Sequence, residues 1–342
     1  MQTRQVEQLR QEAWSAHHAG DLLRAEQLYR RLLDGLPQDP RDAINLGALL
    51  RRQGRLKEAQ VHYQHYLEVF PTHLTLRLNG VNALLDCKAY GLAQQWVEQG
   101  LAQQPGHLEL EQAVAKVELG LRQFTQARQR LEQLCRRCPD DIGLWLDLGL
   151  ACHSQQDLPA ALAAFEQVTR LDANDPRGAA NLLTVHKDLG RFAEAEQLMR
   201  ELPASVAGDV HVRGAMAGLL MQQQRFEDAA LVLAELSQLE PDNAVHWLNQ
   251  AACLRSLKHM VACTRVLKQG LRRQPENADL QQALAQSMAE MGRHAAAMDL
   301  LRRSAGPLEQ LNDSHLFNMQ FLGAGYHLIS AQERQLMARS WE

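Results

Sequence analysis

Aromatic side chains are scarce here, at 5% of 342 residues, and a sheet-rich domain, which packs its pleats with aromatic and β-branched residues, has little to build with. The six cysteines fall into no paired spacing of the kind that staples small secreted domains, so free thiols in a reducing compartment are expected. No apolar run is long enough to span a bilayer, and the first residues, MQTRQVEQLRQEAW, are charged and amphipathic rather than signal-like. No membrane partner and a cytoplasmic location are therefore expected. Neither sign of charge dominates: 36 basic residues stand against 40 acidic ones, a net of −4, and no field draws in nucleic acid. A phosphate-binding glycine loop, a G-x-S-x-G elbow and a dinucleotide fingerprint are all missing.

The residues that are present repeat. The stretch from Ile142 to Asp175 carries apolar residues at Trp145, Leu148 and Cys152, then at Ala161, Phe165 and Val168. These three- and four-residue steps predict two amphipathic helices, the first ending near His153 and the second starting near Pro159. Where two helices cross closely a small residue is needed, and Ala161 fills that place. The step from Ala161 to Ala195, taken repeatedly in both directions, lands on Ala25, Ala59, Ala93, Ala127, Ala229, Cys263 and Ala297. A second ladder of helix-ending residues, with the same step, runs through Pro37, Pro71, Pro105, Pro139, Ala173, Ala207, Pro241, Pro275 and Glu309. The residues Trp145-x2-Leu148-Gly149 and Ala161-x3-Phe165, repeated at this period of ~34 residues, resemble the tetratricopeptide repeat.

That resemblance implies an all-α, right-handed superhelical solenoid of nine helix-turn-helix units over 6–309. The units are expected near 6–39, 40–73, 74–107, 108–141, 142–175, 176–209, 210–243, 244–277 and 278–309. Lys88 and Arg122 stand where other units have a turn glycine, and Pro203 with Gly208 predicts a shortened second helix and a long joint in the sixth unit. The tail, 310–342, is expected to be helical and to serve as a cap or as a linker to a catalytic domain.

Within the tail, Ser314-His-Leu316-Phe317 with Phe321, then Leu328-Ile-Ser330-Ala-Gln-Glu333 and Ala338-Arg339-Ser-Trp341-Glu342, resemble the segment that joins repeats to catalytic domain in bacterial SPINDLY-type O-GlcNAc transferases, departing from it at Ala338. In that family the repeats deliver protein substrates, so this resemblance implies a substrate-recognition arm of a protein O-glycosyltransferase. A free-standing adaptor in complex assembly is the alternative.

In either case the expected ligand is an extended polypeptide in the concave groove, and a homo-oligomer is left open. The groove position before each Leu-Gly pair holds Asn45, Asn79, Asp147, Asn181 and Asn249, with alanine at 113, 215 and 283. An amide offers one acceptor and two donors to a peptide backbone, and the row resembles the asparagine ladder of O-GlcNAc transferase. It is equally readable as a set of contacts within the stack. Asn82, Lys116, His153, Lys187 and Arg255 are the neighbouring groove candidates. Cys135-x2-Cys138 and the pair His62 and His65 have metal-ligand spacings, but each lacks further ligands nearby in sequence, so they are read as packing and surface residues. No metal, cofactor or active site is expected within this chain, which would be enzymatic only through a further domain.

Overall fold

The computed structural model describes residues 3–35 and 39–305. Every regular element among them is a helix. They divide into two compact units, Met1–Leu171 and Asp172–Glu342. The first contains α1 Thr3–His18, α2 Leu22–Gly35, α3 Pro40–Arg52, α4 Leu56–Val69, α5 Leu74–Asp86, α6 Tyr90–Gln103, α7 Leu108–Gly120, α8 Phe124–Arg137, α9 Ile142–Ser154 and α10 Leu158–Leu171. The second contains α11 Pro176–Asp188, α12 Phe192–Glu201, α13 Ala204–Ala207, α14 Val210–Gln222, α15 Phe226–Leu239, α16 Ala244–Ser256, α17 Met260–Arg273, α18 Ala278–Glu290 and α19 His294–Ala305. Pro37, Glu309 and the tail, on which both the cap and the transferase-linker readings rest, lie outside the described residues.

Within each unit consecutive helices pack on one another, except that α13 packs on α11 and α14, and first helices also touch first helices of adjacent repeats, as α3 does α5 and α5 does α7. The small-residue ladder lies in these crossings: Ala25, Ala59, Ala93, Ala127, Ala161, Ala195, Ala229 and Ala297 are fully buried, and Cys263 is 2% exposed. Helix B ends where proline forbids continuation, with α4, α6, α8, α15 and α17 stopping two residues before Pro71, Pro105, Pro139, Pro241 and Pro275. In the sixth repeat the proline comes early, so α12 stops at Glu201, two residues before Pro203, and the short α13 buries Val206 before Asp209 caps α14.

The turn inside each repeat has one geometry. Gly20, Gly54, Lys88, Arg122, Gln156, Gly190, Gln224, Lys258 and Gly292, one in each repeat, all have positive φ. Each closes the end of helix A with a paired bond: the Gln156 N–H reaches the His153 carbonyl at 2.9 Å and the Asp157 N–H the Cys152 carbonyl at 3.0 Å. This is the Schellman arrangement, which satisfies the last carbonyls of a helix. Lys88, Arg122, Gln156, Gln224 and Lys258 adopt it without being glycine, so the hydrogen bonds outweigh a left-handed strain of about 1–2 kcal/mol at each site.

Two further regularities hold the joints between repeats. Asp39, His73, Asp141, Asp175, Asp209, Asn243 and Asn277 cap the following helix by accepting a backbone N–H. His107 occupies the same place without a cap bond, and its Nδ1 is buried with no partner among the described residues. The second device explains the signature tryptophan. Trp145 Nε1–H donates to the Pro139 carbonyl at 2.7 Å and Trp247 Nε1–H to Pro241 at 2.9 Å. At the same register, Gln281 donates to Pro275 at 2.6 Å and Arg77 to Pro71 at 2.5 Å.

The core of each hairpin is matched by volume across one register. A Cβ on Gly47 would lie 2.3 Å from the Tyr63 ring, and one on Gly149 2.4 Å from the Phe165 ring. Where helix B carries Leu131, Leu233 or Leu267 instead, helix A carries Ala115, Ala217 or Ala251, all buried. Repeats such as the first and sixth depart from this, pairing Ala13 with Tyr29 and Leu183 with Met199.

Candidate peptide-binding face

Within a unit, helix A of each repeat contributes one side chain to each of several rows. In the first unit one row contains Asn45, Asn79, Ala113 and Asp147, and a second contains Trp14, Ala48, Asn82, Lys116 and Leu150. A cleft of about 470 Å³ opens between α1 and α3, lined by Glu7, Arg10, Gln11, Trp14, Arg41, Ile44 and Asn45. Trp14 is 49% exposed. Its ring lies 3.9 Å from that of His18, whose Nδ1 bonds the Trp14 carbonyl at 2.9 Å, so the indole is held in place. His18 is thus a local cap. His17 is held below the ordinary histidine range, first by burial and then by His18 and Arg52.

The floor of the cleft is an ion-pair network. Arg10 donates from Nε and a terminal nitrogen to both oxygens of Asp42, at 2.9 and 2.7 Å, and to Asp39 and Glu7 at 2.8 and 2.9 Å. Asp42 is fully buried. The hydrogen bond to Asp42 holds the guanidinium firmly charged, and the Arg41 guanidinium holds Asp39 below the usual carboxylate range. Arg10 is therefore committed to its own fold, and what the cleft offers a ligand is the indole of Trp14 and the amide of Asn45.

The predicted groove residues divide sharply. The Asn45, Asn82 and Asn249 amides, half-buried on α3, α5 and α16, have no hydrogen-bond partner among the described residues. Asn79 and Asn181 instead donate to carbonyls one turn back in their own helices, Thr75 at 3.1 Å and Arg177 at 2.9 Å. Asp147 and His153, half-buried on α9, already have partners. Lys187 lies 3.3 Å from Asp188, and Arg255 lies 3.8 Å from Glu290, while Lys116 is exposed on α7. The structure thus gathers Asn45 with Trp14, Gln11 and Ile44, and it spends the donors of two other asparagines locally. Leu150, 43% exposed in the Trp14 row, is missing from the sequence-based set; following the repeat period from Trp14 would have reached it.

Of the remaining motif residues, His62 and Cys135 are engaged in packing, while His65 is exposed and Cys138 half-buried. His62 bonds the Ala43 carbonyl at 2.7 Å, lies with its ring tilted 4.8 Å from that of Tyr66 and is held below the ordinary histidine range chiefly by burial. Cys135 is buried and its thiol pushed up to about 12 by that burial. Among the described residues no three His, Cys, Asp or Glu side chains gather as a metal site, and no helix is long and apolar enough to cross a membrane.

Helical hairpins recurring at a constant period, closed by one turn geometry and exposing a polar helix-A face, define a repeat scaffold for protein–protein interaction. Models of the tetratricopeptide repeat match residues 114–176, 153–219 and 187–253. A tetratricopeptide repeat protein from Parabacteroides merdae has the same fold, with a TM-score of 0.62 and 17% identity over 73% of this chain and 99% of that one. Cut9 in its complex with Hcn1 matches at 0.54, with 17% identity over 95% of this chain and 60% of that one. Yeast Tom70 matches at 0.50 and 12% identity over 99% of both. Residues 114–253 therefore carry tetratricopeptide repeats, and the chain shares the fold of these solved structures. Curated relatives include the cellulose synthase 1 operon protein C of Komagataeibacter xylinus, 24% identical over 76% of this chain and 18% of that protein. The cellulose synthase operon protein C of Pseudomonas fluorescens is 24% identical over 80% of this chain. The chain spans 18% and 23% of the length of these two relatives.

Proposed function

We propose that this chain is an adaptor that holds an extended segment of a partner polypeptide along the helix-A face of its first unit, with Trp14 and Asn45 as the anchor. The observation that carries this reading is a half-exposed, fixed indole beside an amide with no hydrogen-bond partner among the described residues. Covering the exposed half of Trp14 is worth about 2–3 kcal/mol at ~25 cal/mol per Å². Adjacent first helices sit ~8–10 Å apart, and an extended chain advances ~3.3 Å per residue, so every third ligand residue meets a new repeat. Affinity is limited by the cost of ordering the peptide.

An adaptor within a larger assembly is the setting we favour, because the curated relatives are named as operon proteins of a cellulose synthase. The O-glycosyltransferase arm is the second setting. It is supported by the asparagine row, two of whose members already donate to their own helices. Peptide arrays of unrelated extended sequences, probed with the native chain, Trp14→Ala and Asn45→Ala, test the binding face. Both variants should weaken capture across the array while keeping native helicity, and equal capture by all three proteins refutes the proposal. A reading frame that continues beyond Glu342 into a sugar-nucleotide transferase would favour the second setting.

A further inference from the structure

The helix-B side of the second and third repeats holds a buried cation with no counter-ion among the described residues. A cleft of about 440 Å³ there has Arg77 and Trp96 in its wall, the amides of Gln64, Gln99 and Gln103 around them, and Glu68 exposed at its edge. Arg77 is 4% exposed. Its guanidinium donates to three neutral oxygens: the Trp96 carbonyl at 3.0 Å, Gln99 Oε1 at 3.3 Å and the Pro71 carbonyl at 2.5 Å. No carboxylate of the described residues pairs with it, and burial alone lowers its pKa. A guanidinium has five N–H donors, so this one has capacity beyond the three bonds it makes.

The clamp on the terminal proline does not require a charge. At the same register Trp145, Trp247 and Gln281 bind the carbonyls of Pro139, Pro241 and Pro275 with neutral groups. A buried cation is costly unless it is paired, and here the positive charge serves nothing within the joint. We propose that the Arg77 cleft binds a carboxylate, that of an acidic residue in a partner polypeptide. The amides around the guanidinium would hold the neighbouring ligand backbone. Glu68 at the edge opposes such a ligand and lowers its affinity. This site lies on the helix-B side and stands independently of the Trp14 face.

The test compares two acetylated, amidated tetrapeptides, Ala-Ala-Glu-Ala and its glutamine analogue, binding to the full chain at low salt by calorimetry. The native chain should prefer the glutamate peptide by about tenfold, which corresponds to ~1.4 kcal/mol. Arg77→Gln keeps a proline clamp of the kind Gln281 makes and should retain the native melting temperature while losing the preference. Glu68→Gln should widen it. Equal binding of the two peptides by the native chain, or a preference that survives in Arg77→Gln, overturns the proposal.

Discussion

Gly149→Ala offers a direct test of the volume matching. In a helix interior the change alone should stabilise by about 1 kcal/mol, because alanine is the better helix former. The new Cβ, however, would stand 2.4, 2.6 and 2.7 Å from Cε1, Cζ and Cδ1 of Phe165. That ring is 1% exposed, on a helix whose Ala161 and Val168 are fully buried, so it has no free space to enter. Overpacking of this kind costs ~1–3 kcal/mol, and with three ring atoms inside contact distance the upper half of that range applies. The net expectation is a loss of about 1–2 kcal/mol. In a Phe165→Leu background the clash disappears, and the same glycine change should gain about 1 kcal/mol, since Ala115 with Leu131 and Ala217 with Leu233 are native versions of that pairing. Urea unfolding of the four proteins reads a coupling of about 2–3 kcal/mol. The same sign for Gly149→Ala in both backgrounds would refute the steric account.

Arg10→Ala should be among the most damaging single changes, about 3–5 kcal/mol, because it leaves the fully buried Asp42 unpaired; hydrogen exchange should report the loss in α1 to α3, and uniform loss across the first unit would contradict it. Gln156→Gly should stabilise. It removes ~1–2 kcal/mol of left-handed strain and adds ~0.5–1 kcal/mol of chain entropy, so a lower melting temperature would show that the Gln156 side chain contributes more than its backbone costs.

Much of the fold was legible because the residues that build it are small or unable to continue a helix. Ala161 and its counterparts announce each crossing, and prolines such as Pro71 and Pro139 announce most of the stops. The turn was half legible: glycine marks it at Gly54, whereas Lys88 and Arg122 hide a left-handed backbone behind ordinary side chains. The binding face was least legible, since periodicity assigns a residue to a face and does not say what its side chain already bonds. Asn45 and Asn79 occupy one register, yet only Asn79 reaches back to a carbonyl of its own helix. The proline clamp was hidden in the same way, for Trp145, Arg77 and Gln281 share a task without sharing chemistry.

The clamp also decides where such an array can be cut and rejoined. Its acceptor, Pro139, closes one repeat, and its donor, Trp145, opens the next, so a chimera spliced between them can pair a proline carbonyl with a mute partner such as Ala43 or Ala179. The exchangeable cassette is therefore out of phase with the hairpin. It begins before the terminal proline and carries the first turns of the following helix, and shuffled arrays cut in that phase should keep every joint satisfied.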